Sequence, residues 1–349
     1  MAKKKKNRQL AAEQPKSQAL PASKPAGRTT ATSAKGQPWL WWAISGALLL
    51  IVGLIIAAAF FQQSGSNNAS AVTSMGQVAS CRAVPRFASA QGFQSVTFNS
   101  DDLYITGLKM VDGSNPQRVY KHPSWASAGF LGPVLADGQG NIYTVPVPRI
   151  SLIDNPPQAQ NRVYRVDTNT AEMTLFVELP AAAPPSPQNA YGALGLGLDC
   201  ETNSMYVSSI AGSTAAQELG RIFRIDLGTG AIVAQLDGID AMGLGVFKTG
   251  REKRLYFGST RVGEIRSIGL DAQGNFVGSQ RVEFPISAQG ASGSDKARRL
   301  TFTDAGDMQI AGRQFDYNLV ANTRQPRLQY VYRYQPTTQS WAFVSYTPR

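Results

Sequence analysis

Gly132-Pro133-Val134-Leu135-Ala136-Asp137-Gly138-Gln139-Gly140-Asn141-Ile142-Tyr143 is an apolar run, a polar turn with two glycines, and a second apolar run. Short apolar and aromatic segments ended by Gly, Asp or Asn read as strands joined by tight turns. A variable stretch follows, then Val163-Tyr164-Arg165-Val166-Asp167, a strand of the form apolar-aromatic-Arg-apolar.

The same order recurs outward from this unit. Before it stand Val96-Thr97-Phe98, Leu103-Tyr104-Ile105-Thr106 and Arg118-Val119-Tyr120. After it come Gly195-Leu196-Gly197-Leu198-Asp199, Met205-Tyr206-Val207, Ile222-Phe223-Arg224-Ile225-Asp226 and Ile232-Val233-Ala234. A fourth unit holds Gly243-Leu244-Gly245-Val246-Phe247, Leu255-Tyr256-Phe257, Ile265-Arg266-Ser267-Ile268 and Phe276-Val277. The last holds Leu300-Thr301-Phe302, Met308-Gln309-Ile310, Val331-Tyr332-Arg333-Tyr334 and Trp341-Ala342-Phe343-Val344.

Four-stranded units in series predict an all-β, five- or six-bladed β-propeller, because a small sheet with two apolar faces must be covered by neighbours. A pair of β-sandwiches is the rival, but sandwiches do not demand this ordered repeat. Residues 78–92 are expected to supply a strand that closes the ring with the last blade.

The repeat grammar resembles that of the NHL, SMP-30/gluconolactonase and strictosidine-synthase-like propellers. The resemblance runs from about residue 93 to 346 and is clearest over Gly132–Tyr143 and over Arg221-Ile222-Phe223-Arg224-Ile225-Asp226-Leu227-Gly228-Thr229-Gly230. It implies a fold more than a function. In the gluconolactonase type, a Glu before the Gly-Pro-Val stretch resembles a first metal ligand, joined by Asn and Asp from other blades. Here Leu131 holds that position and cannot bind a hard cation. Asn189, Asp240 and Asp295 remain as metal candidates, with calcium as the ion if the hydrolase reading holds.

Turns between first and second strands and between third and fourth share one face of a propeller. Here these are short, as at Asp137–Gly140, Thr168–Thr170, Glu201–Ser204 and Gly228–Gly230. The opposite face takes the length, at Pro146–Asn161, Ile210–Gly220, Arg313–Arg327 and the crossings Ala181–Ala190 and Ser287–Ala297. Long insertions on one face mark a binding face. Its candidate contacts are Tyr191, Asp240, Arg261, Asp295, Arg298, Arg313, Asp316 and Tyr317. A Ser-His-Asp triad would need His122, the single histidine, which reads as a loop residue.

The chain's 349 residues carry a formal net charge of +11, and its N-terminal part differs from the rest. Residues 1–38 hold nine basic side chains against Glu13, so the excess positive charge belongs mostly to a tail expected to be disordered. The body lacks the basic face with interleaved aromatics that nucleic-acid binding requires. Trp39 to Phe61 runs 23 residues without a charge, long enough as a helix to span a hydrocarbon core of about 30 Å. This predicts a single transmembrane helix over 39–61, held at one end by Trp39, Trp41 and Trp42. A cleaved signal peptide is the rival, but h-regions are about 7–15 residues.

The Lys-rich flank places the N-terminus in the cytoplasm and the body outside it, at the cell surface or in the periplasm. Residues 62–80 read as a linker and 81–349 as the propeller domain. Asn68-Ala69-Ser70 fits a glycosylation acceptor. Cys81 and Cys200 both follow the anchor, where a disulfide can form, although two unrelated buried thiols would also satisfy the sequence.

Two function classes follow. The first is a non-catalytic binding or scaffold module, needing no cofactor, that presents its long-loop face to a protein, glycan or small molecule. The second is a metal-dependent lactone or ester hydrolase.

Overall fold

The recurring unit becomes a four-stranded antiparallel sheet. The computed structural model describes residues 75–77, 81–100, 106–147, 153–184, 186, 188–286, 294–318 and 327–348. A two-residue strand β1 (Gly76–Gln77) and a short helix α1 (Arg86–Ala90) precede the first blade. Among the described residues that blade has three strands: β2 (Val96–Asn99), β3 (Lys109–Asp112) and β4 (Val119–Tyr120). The second has β5 (Leu131–Ala136), β6 (Ile142–Pro146), β7 (Arg162–Val166) and β8 (Met173–Glu178). The third has β9 (Ala193–Asp199), β10 (Ser204–Ser209), β11 (Arg221–Asp226) and β12 (Ile232–Asp237). The fourth has β13 (Ala241–Lys248), β14 (Lys253–Ser259), β15 (Glu264–Leu270) and β16 (Phe276–Pro285). The fifth has β17 (Lys296–Phe302), β18 (Asp307–Arg313), β19 (Leu328–Gln335) and β20 (Ser340–Pro348). The fold is a five-bladed all-β propeller.

Burial explains the blade sequences. Strands β9, β10 and β14 are buried at every position, so their blades are covered on both faces. Glycines on the first two strands of a blade let the blades close up. A Cβ on Gly197 would stand 3.0 Å from the Cβ of Leu244, and one on Gly258 would stand 2.4 Å from that of Ala297. Four apolar cores join blades 1 to 2, 2 to 3, 3 to 4 and 4 to 5. Among the described residues, no core joins blade 5 to blade 1. Strands β18 and β19 show the consequence, alternating buried Met308, Ile310, Tyr330 and Tyr332 with partly open Gln309, Ala311, Gln329 and Val331. One face of the last blade is core and the other is not.

Two expectations are corrected here. In blade 1 the strand paired with β2 is Lys109–Asp112, while of the expected strand Leu103–Thr106 residues 103–105 lie outside the described residues. Its alternation of half-buried Lys109 and Val111 with buried Met110 and Asp112 suits an end blade better than an all-apolar run would. Nor do residues 81–92, the described part of the segment 78–92, form a strand of the last blade.

The N-terminal segment instead runs as a strap over the short-turn face. β1 pairs with the end of β13, at Gly76↔Lys248 and Gln77↔Phe247. Cys81 is disulfide-bonded to Cys200 beside the β9–β10 turn, closing 119 residues. The Ala83 N–H donates to the Asp137 carbonyl at 3.0 Å, and the Phe87 N–H to that of Thr168 at 2.8 Å. The strap thus ties blades 4, 3 and 2 together before α1 seats Phe87 in the core between blades 1 and 2.

The short turns are held by aspartates. Asp137 Oδ1 accepts from the N–H groups of Gln139 and Asn141 at 2.8 and 2.9 Å, and Asp271 Oδ1 does the same for Gln273 and Asn275 at 2.9 and 2.8 Å. Gly140 and Gly274 follow at φ +84° and +83°, a region open to glycine.

The segments 1–38 and 39–61, and the Asn68 acceptor, lie outside the described residues. Among the described residues, no helix is long and apolar enough to cross a membrane.

Three outcomes follow from this packing. Gly258→Ala should lower stability by about 1–3 kcal/mol, because Ala297 Cβ and backbone must give way, whereas Gly228→Ala, with more room, should be nearly neutral in chemical denaturation. Removing the disulfide as Cys81→Ser with Cys200→Ser should cost about 4–5 kcal/mol in the same assay. Backbone bonds hold the Asp167 carboxyl below its ordinary 3.8, the Thr229 hydroxyl does so for Asp226, and Arg333 does so for Asp307. Their stabilisation is present above that value and is lost as pH falls through the lower folded values. The melting temperature should therefore hold above about pH 4 and drop below it.

Candidate functional site

The short turns all span four to six residues, while the other face carries connections at 147–161, 179–192, 210–220, 286–295 and 314–327. Two exceptions on that face, 238–240 and 260–263, are short. These two bring the site together.

The 238–240 crossing sets Asp240, 1% exposed, at the start of inner strand β13. Asp240 Oδ1 accepts from the Ser213 hydroxyl at 2.5 Å and the Gly220 N–H at 2.8 Å. Its Oδ2 accepts from Arg261 Nη1 at 3.0 Å and from the Tyr317 hydroxyl at 2.5 Å. The Arg261 guanidinium also donates to the carbonyls of Thr214 and Ala215, at 3.1 and 2.7 Å. Glu218 accepts from the backbone N–H of Asp240 at 2.8 Å. A phenol has one proton. Given to Asp240, it leaves the Tyr317 oxygen to accept from Thr260, 2.9 Å away. Burial pushes the Tyr317 phenol up, and the bond to Asp240 adds to this.

Aromatic rings line up beside this network. Tyr191, Phe315 and Tyr317 lie in a row, tilted and edge-to-face with centroids 5.1 and 5.5 Å apart, over buried Leu194, Ile210 and Met242. Burial raises the Tyr191 phenol, the charges of Arg298 and Arg313 pull it back, and Asp316 adds to the rise. These groups are therefore neighbours. Arg298 donates to the Leu194 carbonyl at 3.3 Å and lines the central cavity, about 160 Å³, together with Arg82 of the strap. Asp295 stands apart, buried and accepting from the Tyr330 hydroxyl at 2.7 Å. Beside it, burial lowers Lys296 from the ordinary lysine range, against the opposing pull of Asp316 and Asp295.

Asp240, Arg261 and Tyr317 are thus brought into one hydrogen-bonded unit, and Tyr191, Arg298, Arg313 and Asp316 gather around it. Ser213, Glu218, Thr260 and Phe315 complete the arrangement without having stood out in the sequence.

The calcium implied by the resemblance does not fit these residues. Asn189 and Asp240 do converge, since Asn189 Nδ2 donates to the Ser213 carbonyl at 2.9 Å and the Ser213 hydroxyl bonds Asp240. However, Asp240 already meets four donors, and one of them is a guanidinium where a cation would stand. Asn189 spends its amide on the carbonyls of Ile210 and Ser213 and its oxygen on the Tyr191 N–H. Among the described residues, no three acidic, His or Cys side chains cluster as metal ligands. His122 caps the turn Pro123–Ala128, with Nδ1 2.8 Å from the Ser124 hydroxyl.

The fold and this rim define a five-bladed propeller with one elaborated face. No family model matches the chain, and no curated protein matches it. Solved structures do match in fold. Regucalcin from Agrobacterium tumefaciens, described as a calcium-binding protein, is 14% identical over 78% of this chain and 77% of its own, with a TM-score of 0.44. A luciferin-regenerating enzyme is 10% identical over 79% and 80%, with a TM-score of 0.44. A gluconolactonase from Xanthomonas campestris is 15% identical over 62% and 64%, with a TM-score of 0.40. These are propellers of the kind whose repeats the sequence resembles, and at such identities the likeness says nothing of activity.

Asp240→Ala should strand Arg261, Ser213 and Tyr317, costing about 3–5 kcal/mol in denaturant titration. Tyr317→Phe, which removes one hydroxyl, should cost about 1–2 kcal/mol.

Proposed function

We propose that this protein is a membrane-tethered propeller that works as a binding or scaffold module through its long-loop face. The carrying observation is the asymmetry of the two faces. The short-turn face is covered by the strap, which is pinned by backbone bonds and the Cys81–Cys200 disulfide. The long-loop face carries the converging loops and the aromatic row. Tethering rests on the uncharged run 39–61, and an extracytoplasmic position suits a chain whose two cysteines are both oxidised. The partner class is a protein, glycan or small molecule.

A lactone or ester hydrolase is the second reading, implied by the resemblance and favoured by one observation, the meeting of Asn189 and Asp240 around Ser213. It requires Arg261 to withdraw so that a cation can reach Asp240. Lactone hydrolysis by the full-length chain that depends on calcium and disappears in Asp240→Asn would favour it over binding alone.

Site-specific photo-crosslinking in the native envelope tests the first reading. A crosslinker at Gln217, on the long-loop face, should capture a partner or ligand. One at Gln273, in a short turn, should not. Capture only at Gln273 would reverse the assignment.

A further inference from the structure

We infer that the cavity on the ring axis binds a small organic carboxylate. The first strands of four blades, β5, β9, β13 and β17, line it, and Arg82 of the strap completes it. The site lies on the axis and does not depend on which rim meets a partner. At about 160 Å³ it has room for a molecule near the size of benzene, which a cavity of about 150 Å³ admits.

The lining decides the charge of the occupant. Among the described strands, β5, β9 and β17 each stand at the end of a sheet, so each leaves one backbone edge unpaired. Such an edge offers N–H and C=O groups alike and sets no preference. The side chains do. Among the described residues lining the cavity there are three arginines, Arg82, Arg298 and Arg299, and no Asp, Glu or His. Arg298 and Arg299 are already engaged, Arg298 with the Leu194 carbonyl, so the donors on offer are those of Arg82.

Arg82 is fixed from both sides. Cys81 before it is bonded to Cys200, and the Ala83 N–H after it donates to the Asp137 carbonyl at 3.0 Å. Its own side chain has no hydrogen bond or ion pair among the described residues. Arg82 is open to solvent, yet enough protein surrounds it that desolvation lowers the guanidinium from the ordinary arginine range, and no acid offsets this. A guanidinium fork matches a carboxylate with two parallel bonds. Thr301, exposed on the same wall, adds a hydroxyl donor. Half-buried Pro133 and Val134 offer apolar surface to a carbon body, which an inorganic oxyanion would leave unused.

The test uses the full-length chain in detergent. Butyrate and benzoate are titrated calorimetrically beside butyramide and benzamide, which match them in shape without the charge, and beside benzylamine and inorganic phosphate. At least one carboxylate should bind, at least tenfold more tightly than its amide, and should raise the melting temperature.

Arg82→Gln should weaken that binding roughly tenfold and shrink the thermal shift. The melting temperature of the unliganded protein should hold, because the side chain has no bond to lose, whereas a merely structural arginine would lower it. Arg82→Lys, which keeps the charge and loses the fork, should fall between. Absence of binding by both carboxylates, equal binding of acid and amide, unchanged affinity in Arg82→Gln, or a preference for phosphate or benzylamine overturns the inference.

Discussion

The close approach of neighbouring blades through inner-strand glycines is the constraint on which the rest depends. Leu244 lies over Gly197, and Leu300 and Phe302 lie over Gly245, so each blade inserts apolar side chains where its neighbour has none. Interiors packed this way transmit position well, because a methyl group too many forces movement. The ends of the inner strands are thereby fixed, and with them Asp240 at the head of β13.

The loops are then fastened to those fixed ends. Asp240 gathers Ser213 and Gly220 from one long connection, Arg261 from a short one and Tyr317 from another long one. A buried carboxylate with four donors holds three loops in register, and the aromatic row from Tyr191 to Tyr317 covers the same junction. Asp240 is therefore better understood as the support of the long-loop face than as a reactive group. The strap performs the complementary task on the other side, joining the short turns of blades 4, 3 and 2.

Much of this was legible in the chain. Strands and turns follow from local pattern, as in Asp137-Gly138-Gln139-Gly140-Asn141, whose aspartate organises its own turn, while the pattern left five or six blades open. The one-sided loop lengths were legible too. Asp240, Arg261 and Tyr317 stood out by position, but their union did not, because Tyr317 and Asp240 are 77 residues apart and no periodicity links them. In blade 1 the strands at Val96–Asn99 and Val119–Tyr120 were legible, but Lys109–Asp112 between them was not, because it is short and carries a charge at each end. The disulfide was one of two possibilities that sequence left open, and the strap explains why it forms where it does.

Hydrogen exchange with and without the partner captured through Gln217 tests the central claim most directly. The account predicts slowed exchange in 157–161, 178–191 and 210–213, with no change in the short turns at 137–141 and 271–275. Slowing confined to those turns, or spread evenly over both faces, would contradict it.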